Sequence, residues 1–298
     1  MEDKIKGALV GLACGDAVGT TLEFEKRDAF EPITDMIGGG PFDLNPGEWT
    51  DDTSMALCLA NSLLQQNCFD PIDQMNRYCE WYKNGYMSSN GVCFDIGITV
   101  SMALRKYIET KNPFSGSTDE YASGNGSIMR LAPIPIYYHD NYEQCIQYAG
   151  ESSRTTHGSA ECIDSSKLFS SLIFNAFYAE SKSDIFKNNK YIPCCEKVSA
   201  ISQCDFLNYE YIQMTGSGYV VESLASALWC FMNGSSFKEC ILLAANIGND
   251  ADTTAAICGQ IAGAYYGFSG IPEHWRNNIA MAKEIEELAL QLFISRNS

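Results

Sequence analysis

Two acidic clusters near opposite ends of the chain carry the residues best suited to chemistry. The first is Trp49-Thr50-Asp51-Asp52-Thr53, and the second covers residues 248–254 with the sequence GNDADTT. Each places carboxylates and a threonine hydroxyl just before a long apolar run with a helical period. Carboxylate and hydroxyl oxygens are hard ligands that suit Mg²⁺, Mn²⁺ or Ca²⁺ rather than zinc. Such ions support hydrolysis, because they orient and activate water.

A simpler interpretation is that each cluster caps a helix. Asp and Thr are favoured N-cap residues, and the helix dipole stabilises acid at a helix start. One residue is enough for a cap, however, whereas each cluster supplies at least three oxygen-bearing side chains. Carboxylates facing one another without a counter-charge would also repel strongly. We therefore favour one or two divalent ions over capping alone.

The composition predicts an ordinary soluble globular protein. Of its 298 residues, 46% are hydrophobic and 19% charged, which allows one large core or two small ones. The net charge of −17 argues against nucleic-acid or anionic-membrane binding, since both require basic patches. Thirteen cysteines without a CxxC pair indicate buried free thiols and no zinc site. With no signal peptide and no apolar run of membrane-span length, we expect a cytoplasmic protein.

The hydrophobic period is helical nearly throughout, and strand-like alternation is almost absent, so we predict an all-α protein. Predicted helices cover residues 5–18, 55–66, 72–83, 96–108, 159–179, 220–232, 237–245, 251–266 and 277–294. Small residues between Gly7 and Gly15 predict close helix contacts in the first of them. Residues 182–213 are the least regular and are interpreted as a peripheral excursion. No composition break appears, so residues 1–298 are expected to form one domain.

Three further segments admit both a chemical and a structural interpretation. The turn Gly124-Asn125-Gly126-Ser127 exposes backbone N–H groups that can cradle a phosphate, but a plain turn fits equally well. His157 lies between two helical stretches and could bond a phosphate, although a lone histidine in a turn is more often exposed or a cap. Tyr219 follows a Gly-Ser-Gly turn and could stack on a flat ring, although most such aromatics belong to the core.

Isolated carboxylates lie within otherwise apolar stretches of the sequence at three positions. Asp95 is well placed to cap the helix predicted after it, which is its structural interpretation. Asp16 ends the first helix and is expected to bond nearby backbone groups. Glu23 follows soon after and is likewise a carboxylate among apolar residues.

Seven segments together resemble the ADP-ribosylglycohydrolase family, most closely its bacterial dinitrogenase-reductase-activating branch. In chain order they read GALVGLACGDAVGTTLEF, GEWTDDTSMAL, FDIGITVSMAL, GNGSIMRLAPI, THGSAEC, GSGYVVESLASALW and GNDADTTAAICGQIAGAYYG. The resemblance covers nearly the whole chain in the family's order. It implies a compact orthogonal helical bundle that holds two divalent cations, Mg²⁺ or Mn²⁺.

The resemblance also assigns roles to residues of this chain. The implied metal ligands are Thr50, Asp51, Asp52, Asp250, Asp252 and Thr253. The implied contacts to the ADP-ribosyl group are Gly124, Asn125, Gly126, Ser127, Met129, His157, Gly218 and Tyr219. Two acidic residues then lie near the scissile bond: we expect Asp95 to be the base and Glu23 to be a metal-proximal or gating carboxylate.

The implied activity is hydrolysis of the N-glycosidic bond between ADP-ribose and an arginine of a modified protein. The segment Phe94-Asp95-Ile96-Gly97 resembles the arginine-directed branch and favours that linkage. Alternatives are O-linked seryl or small-molecule ADP-ribosyl hydrolysis, or a non-catalytic member like the lens crystallins of the family. The complete ligand set argues against the last. Expected partners are the ADP-ribosylated protein and the ADP-ribose product, with the enzyme a monomer.

Overall fold

The computed structural model describes residues 1–296, and over these residues the chain is helical with no extended strand. The α-helices are α1 Glu2–Gly19, α2 Asp51–Gln66, α3 Pro71–Asn84, α4 Ile98–Thr110, α5 Pro133–Tyr137, α6 Tyr142–Thr156, α7 Ala160–Ala176, α8 Lys182–Lys187, α9 Glu196–Ser202, α10 Val220–Asn233, α11 Phe237–Ala245, α12 Ala251–Tyr266, α13 Glu273–Asn278 and α14 Ala282–Ser295. The all-α prediction is confirmed. Long loops separate α1 from α2 and α4 from α5, and both contribute to the site described below.

Helices α1 and α12 form the centre of the bundle and run antiparallel with their backbones in contact. A Cβ at Gly7 would lie 2.2 Å from the Gly263 carbonyl oxygen, and one at Gly11 would lie 2.4 Å from that of Gly259. The same relation continues four residues further along, where a Cβ at Gly15 would lie 2.1 Å from the Ala255 oxygen. Because no side chain fits between the helices, glycine is required along this face of α1. The predicted close contacts are confirmed.

The remaining long helices pack around this pair. Helix α12 also contacts α10, α11 and α7, while α1 contacts α14, so the first helix packs against two helices from the other end of the chain. The tryptophans Trp49, Trp81 and Trp275 are fully buried in the surrounding core. Both helices of the central pair are thus shielded from solvent and present only their ends to the loops.

The stretch Glu2–Leu22 is long and apolar enough to cross a membrane by length and composition. The prediction that no apolar run has this length is therefore wrong. However, 89% of the window that meets the criterion is buried inside the structure, and a buried core helix meets the same criterion.

Several predicted boundaries differ from the structure. The last predicted helix, residues 277–294, is two helices, because the chain breaks between α13 and α14 at Met281, whose φ is +56°. Helices α5 and α6 were not predicted, since α5 contains Pro133 and Pro135 and α6 is largely polar on one face. The irregular stretch 182–213 contains the short helices α8 and α9.

Replacing Gly11 by alanine is expected to destabilise the protein, because the new methyl group meets the α12 backbone. We expect the free energy of unfolding to fall by about 1–3 kcal/mol in chemical denaturation, as is usual for overpacking. Gly150→Ala is the matched control: this helical glycine of α6 would place its Cβ against the flexible Lys167 side chain. There the better helix propensity of alanine should leave stability unchanged or raise it by up to about 1 kcal/mol. Equal effects of the two substitutions would contradict the close-contact account.

Candidate metal centre and active site

Asp16, near the end of α1, fixes the start of α2. One carboxylate oxygen accepts from the Thr50 N–H and hydroxyl, both at 2.9 Å, and the other accepts from the Thr53 N–H at 3.0 Å and hydroxyl at 2.6 Å. Asp16 is fully buried. Since hydrogen bonds use both of its oxygens, Asp16 positions the first acidic cluster. The expected bonds to backbone groups are confirmed, although they reach α2 and not its own segment.

The two acidic clusters meet at the starts of α2 and α12. The Thr50 hydroxyl oxygen lies 3.3 Å from a carboxylate oxygen of Asp52 and 3.4 Å from one of Asp252. The Thr253 hydroxyl lies 3.5 Å from the same Asp52 oxygen. Thr50 and Asp250 occupy the N-cap positions, yet neither side chain makes a capping hydrogen bond. Helix capping therefore does not account for these side chains.

Glu23 and Asp95 add two more carboxyl groups to the same centre. Carboxylate oxygens of Glu23, Asp95 and Asp252 lie within 4.8 Å of one another. Asp95 has a left-handed backbone with φ of +58°, a conformation that is uncommon for residues other than glycine. Gly97, and not Asp95, is the N-cap residue of α4, so the capping interpretation of Asp95 is wrong. The left-handed turn instead puts the Asp95 carboxyl in the cleft.

These carboxyl groups form the floor of a cleft of about 550 Å³, here called the acidic cleft. Its lining residues are Glu23, Phe24, Asp51, Asp95, Ile96, Gly97, Ile98, Thr99, Val100, Gly124, Asn125, Gly126, Met129, His157, Gly218, Asp250, Asp252 and Thr253. Thr50 and Asp52 are fully buried beneath it. The volume is typical of a site for a small-molecule ligand.

Burial and mutual repulsion raise the pKa of the carboxyl groups in the cleft. The pKa values of Asp51, Asp52 and Asp252 lie well above the ordinary range, chiefly because of burial and then because of neighbouring carboxylates. The pKa of Glu23 is raised by burial and by the Asp95 charge, and burial raises that of Asp95 to about 7. Without a cation, this centre therefore holds protons at pH values where ordinary carboxyl groups are ionised.

The donor set fits a hard divalent cation. One oxygen each of Asp52, Asp252 and Glu23 is buried and has no hydrogen-bond partner among the described residues. A buried carboxylate oxygen without a partner is costly, and cations bound among these carboxylates would supply the missing partners. The surrounding donors are carboxylates and hydroxyls, which match Mg²⁺ or Mn²⁺. The metal prediction thus has a physical basis in the geometry.

The loop of residues 124–127, here called the glycine loop, lies directly against His157. A Cβ at Gly126 would lie 2.7 Å from His157 Cε1 and 3.0 Å from Nε2, and one at Gly124 would lie 3.3 Å from Nε2. His157 ends α6 as its C-cap and is buried, so the expectation of solvent exposure is wrong. The ring touches the loop because both glycines lack side chains.

Two loops that the sequence places far apart are paired at the wall of the cleft. The Asn125 N–H donates to the Gly218 carbonyl at 3.0 Å, and the Val220 N–H donates to the Ser123 carbonyl at 3.0 Å. The Asn125 side chain also donates to Asp250 at 2.6 Å, which connects this wall to the acidic floor. The Asn125 N–H is therefore not available to a phosphate. A phosphate cradle that uses every backbone N–H of this loop is thus excluded.

A second cavity of about 580 Å³ adjoins the cleft and shares Thr99, Gly124 and Gly218 with it. Tyr219 lines this cavity and is partly buried against the edge of the core. Its hydroxyl is 2.6 Å from a Glu161 carboxylate oxygen and accepts from Lys197 at 2.8 Å. A flat ring held by two polar partners beside an open cavity suits a planar ligand group.

The structure does not bring every predicted residue to the cleft. Ser127 is buried away from it, and its hydroxyl accepts from Ser166 at 3.1 Å. Conversely, Phe24, Ile98 and Thr99 line the cleft although sequence reasoning did not select them. Phe24 and Ile98 are 68% and 79% exposed, and their apolar character gave no reason to place them at a polar site.

Comparisons with known proteins agree with this geometry. A family model described as ADP-ribosylglycohydrolase matches residues 1–298. The "ADP-ribosylarginine hydrolase Tri1" of Serratia proteamaculans (strain 568) is 41% identical over 291 residues, covering 98% of this chain and 79% of that protein. The "ADP-ribosyl-[dinitrogen reductase] glycohydrolase" of Rhodospirillum rubrum is 29% identical over 299 residues, covering 96% of this chain and 93% of that protein.

Among solved structures, a chain titled "ADP-ribosylglycohydrolase-related protein complex" superposes with a TM-score of 0.86 at 38% sequence identity. The match covers 99% of this chain and 98% of that one. The likeness therefore extends over the whole helical architecture that brings the two acidic clusters together.

The stabilisation given by Mg²⁺ or Mn²⁺ should increase with pH. The pKa values of the predicted ligands Asp51, Asp52 and Asp252 lie well above the ordinary value of 3.8, chiefly because of burial, so in the metal-free protein these groups favour folding at low pH and lose that effect as pH rises through the raised values. A cation binds the ionised form. The metal-induced rise in Tm should therefore keep growing between pH 6 and 8, reaching about 5 °C at a hundredfold excess of metal over Kd.

Thermal melts with metal and with EDTA at each pH give the metal-induced change in Tm. Contributions that are the same in both samples, such as the burial of His157, cancel in this difference. Asp252→Asn should abolish the metal-induced shift, whereas Asp205→Asn, an exposed carboxylate elsewhere, should leave it unchanged. A shift that is already maximal at pH 5, or one that survives in Asp252→Asn, would show that these carboxyl groups are not the ligands.

Replacing Gly126 by alanine should weaken binding of ADP-ribose about tenfold, or ~1.4 kcal/mol, because the new methyl group displaces the His157 ring. Calorimetric titration with ADP-ribose measures the change. Gly97→Ala is the matched control, because Gly97 lines the same cleft but has open space at its Cβ. The metal-induced Tm shift should stay at its wild-type value in both variants. Unchanged affinity in Gly126→Ala would place the ligand elsewhere.

Proposed function

Because this chain belongs to the ADP-ribosylglycohydrolase family, we propose that it hydrolyses the N-glycosidic bond between ADP-ribose and an arginine side chain of a modified protein. The relative from Serratia proteamaculans, at 41% identity, is named an ADP-ribosylarginine hydrolase, and so is a relative of equal identity from Pseudomonas putida (strain GB-1). The relative from Rhodospirillum rubrum is named for removal of ADP-ribose from dinitrogen reductase. These names support a protein-linked substrate.

One observation carries the proposal: two acidic helix starts converge beneath a cleft that continues into a second cavity beside a tyrosine. The acidic cleft and the adjoining cavity have volumes of about 550 and 580 Å³. An ADP-ribosyl group is an elongated molecule with a ribose at one end, a diphosphate in the middle and adenosine at the other end. The acidic floor suits the reacting ribose, and the Tyr219 ring suits the adenine.

We propose that two cations, Mg²⁺ or Mn²⁺, are held at this floor by Thr50, Asp51, Asp52, Asp250, Asp252 and Thr253. When bound, such cations orient the ribose hydroxyls and a water molecule and stabilise negative charge. The partnerless oxygens of Asp52 and Asp252 support these assignments. Asn125 restrains Asp250 through its side-chain hydrogen bond and keeps that carboxylate directed at the floor.

Asp95 is proposed as the base that takes a proton from the attacking water. Burial raises the pKa of both Asp95 and Glu23, and their carboxylate oxygens lie within 4.8 Å of each other, so the two groups can share one proton. We assign this proton to Glu23 and the acceptor role to Asp95. A carboxylate positioned in this way contributes about 10²–10⁴ in rate as a general base. Glu23 orients the base and adds to the acidic character of the cleft.

The acidic surroundings also suit the guanidinium group of an arginine substrate. Positive charge on the leaving group is favoured beside Asp95, because the cleft holds several carboxyl groups and its lining residues include no lysine or arginine. The side chain of arginine is planar and forms paired hydrogen bonds with carboxylates. A serine linkage provides no such cation, so the electrostatic preference favours arginine.

We further propose that the protein acts in the cytoplasm as a monomer. The thirteen cysteines are free thiols in the described structure, as a reducing compartment requires. Light scattering of the purified protein should give a mass near 32.9 kDa, and cell fractionation should recover it with the soluble fraction. A mass of twice that value, or recovery with membranes, would contradict this part of the proposal.

The linkage preference can be measured directly. We expect release of ADP-ribose from a peptide ADP-ribosylated on arginine in the presence of Mg²⁺ or Mn²⁺, and little or no release from the matching seryl conjugate. EDTA should remove the activity. A preference for the seryl conjugate would reject the arginine assignment while leaving the metal centre intact.

Asp95→Asn should reduce kcat about a thousandfold, because the amide cannot take the proton from water. Metal-induced stabilisation and ADP-ribose affinity should remain near their wild-type values. Asp43→Asn is the matched control: Asp43 also has a left-handed backbone, with φ of +53°, but it is exposed and does not line the acidic cleft. Retention of most of the wild-type kcat by Asp95→Asn would exclude Asp95 as the base.

A further inference from the structure

Arg130 is a fully buried arginine without an ion pair among the described residues. Its guanidinium stacks over the Tyr78 ring at 4.7 Å and contacts the Met55 sulfur at 3.6 Å. The guanidinium also donates a hydrogen bond to the Thr156 hydroxyl oxygen at 2.6 Å, whereas its Nε has no partner among the described residues. Burying an arginine in this way is costly, so the one strong hydrogen bond needs an explanation.

The Thr156 hydroxyl joins Arg130 to His157. Its oxygen lies 2.8 Å from His157 Nδ1. Arginine can only donate, so Arg130 takes a lone pair of the hydroxyl oxygen, and the hydroxyl proton remains free to point at Nδ1. If Nδ1 instead carried a proton and donated it to Thr156, the buried hydroxyl proton would have no acceptor in the hydrogen-bond pattern. The satisfied arrangement is Arg130 to Thr156 to His157.

We propose that Arg130 is a positioning residue which, acting through Thr156, holds His157 as the neutral imidazole with its proton on Nε2. The Nε2 edge is the one that faces the glycine loop, because Cβ atoms at Gly124 and Gly126 would lie 3.3 and 3.0 Å from it. His157 also lines the acidic cleft. The chain of hydrogen bonds thus gives the cleft a fixed donor at this edge.

Neutral imidazole is consistent with the surroundings. Burial, and then the Arg130 charge, lower the pKa of His157 to about 3. The ring is therefore uncharged at neutral pH, and the tautomer decides whether Nε2 donates or accepts. A donor at Nε2 suits an oxygen of the ADP-ribosyl diphosphate or ribose. The identity of this acceptor rests on the proposed function, whereas the assignment of the tautomer does not.

The tautomer can be read by nitrogen-15 NMR of the histidine side chains in the holo protein. The chain has three histidines, which makes assignment by single substitution practical. His139 is an internal reference: its Nδ1 lies 3.0 Å from the Ile136 carbonyl, which can only accept, so this ring carries its proton on Nδ1. His157 should show the opposite pattern, with the proton on Nε2. A proton on Nδ1 of His157 in the wild-type protein would overturn the proposal without any variant.

Substitutions of Thr156 test the connection to ligand binding. Thr156→Val keeps the shape but removes the hydroxyl, so His157 should lose the pure Nε2–H pattern and the Kd for ADP-ribose should rise about tenfold. Thr156→Ser restores a hydroxyl and should recover both properties. Thr155→Val is the matched control, because the Thr155 hydroxyl donates to the Ser152 carbonyl of α6 and accepts from Gln74 of α3, and its hydrogen bonds do not include His157.

The outcomes separate the two proposals. If Thr156→Val leaves both the tautomer and the Kd unchanged, or if Thr155→Val has the same effect, the positioning role of Arg130 and Thr156 is rejected. If the wild-type protein shows the Nε2–H tautomer but does not bind ADP-ribose, the proposed substrate fails while the hydrogen-bond chain stands.

Discussion

The close contact between α1 and α12 is the constraint on which the site depends. Glycines at four-residue intervals on α1 let its backbone rest on α12, and the antiparallel direction brings the end of α1 to the start of α12. Asp16 lies at that end and holds the start of α2 through four hydrogen bonds. Two acidic segments about two hundred residues apart therefore converge because two helices have no side chains between them.

This convergence is electrostatically unfavourable in the free protein. Helix dipoles at the starts of α2 and α12 offset part of the repulsion, but each such contribution is only about 0.3–1 kcal/mol. The rest of the repulsion is not offset, as the raised carboxyl pKa values and the partnerless oxygens of Asp52 and Asp252 indicate. The glycine contact and the hydrogen bonds of Asp16 hold the arrangement together, and the proposed cations would relieve the repulsion. Stability and function thus place opposite demands on the same few residues.

Sequence periodicity predicted the long helices because one face of each is continuously apolar, and α11 and α12 match the predicted ranges. It missed the break at Met281, where a tertiary hydrogen bond from the Ala280 N–H to the Gly47 carbonyl helps to stop the helix. The structural alternatives of a helix cap for Asp95 and of an exposed position for His157 were wrong, because neither a left-handed turn nor burial by another loop is visible from neighbouring residues. The acidic clusters could be found from residue types alone, whereas the chain from Arg130 through Thr156 depends on distances that only the folded structure supplies.

The starts of α2 and α12 are together proposed to hold the cations of a hydrolase. Anomalous diffraction from crystals grown with Mn²⁺, recorded on either side of the manganese absorption edge, would locate these cations. We expect two manganese peaks between the carboxylates of Asp51 and Asp52 on one side and those of Asp250 and Asp252 on the other. A protein that is active with Mn²⁺ but has no peak there, or has its manganese elsewhere, would rule out this metal centre.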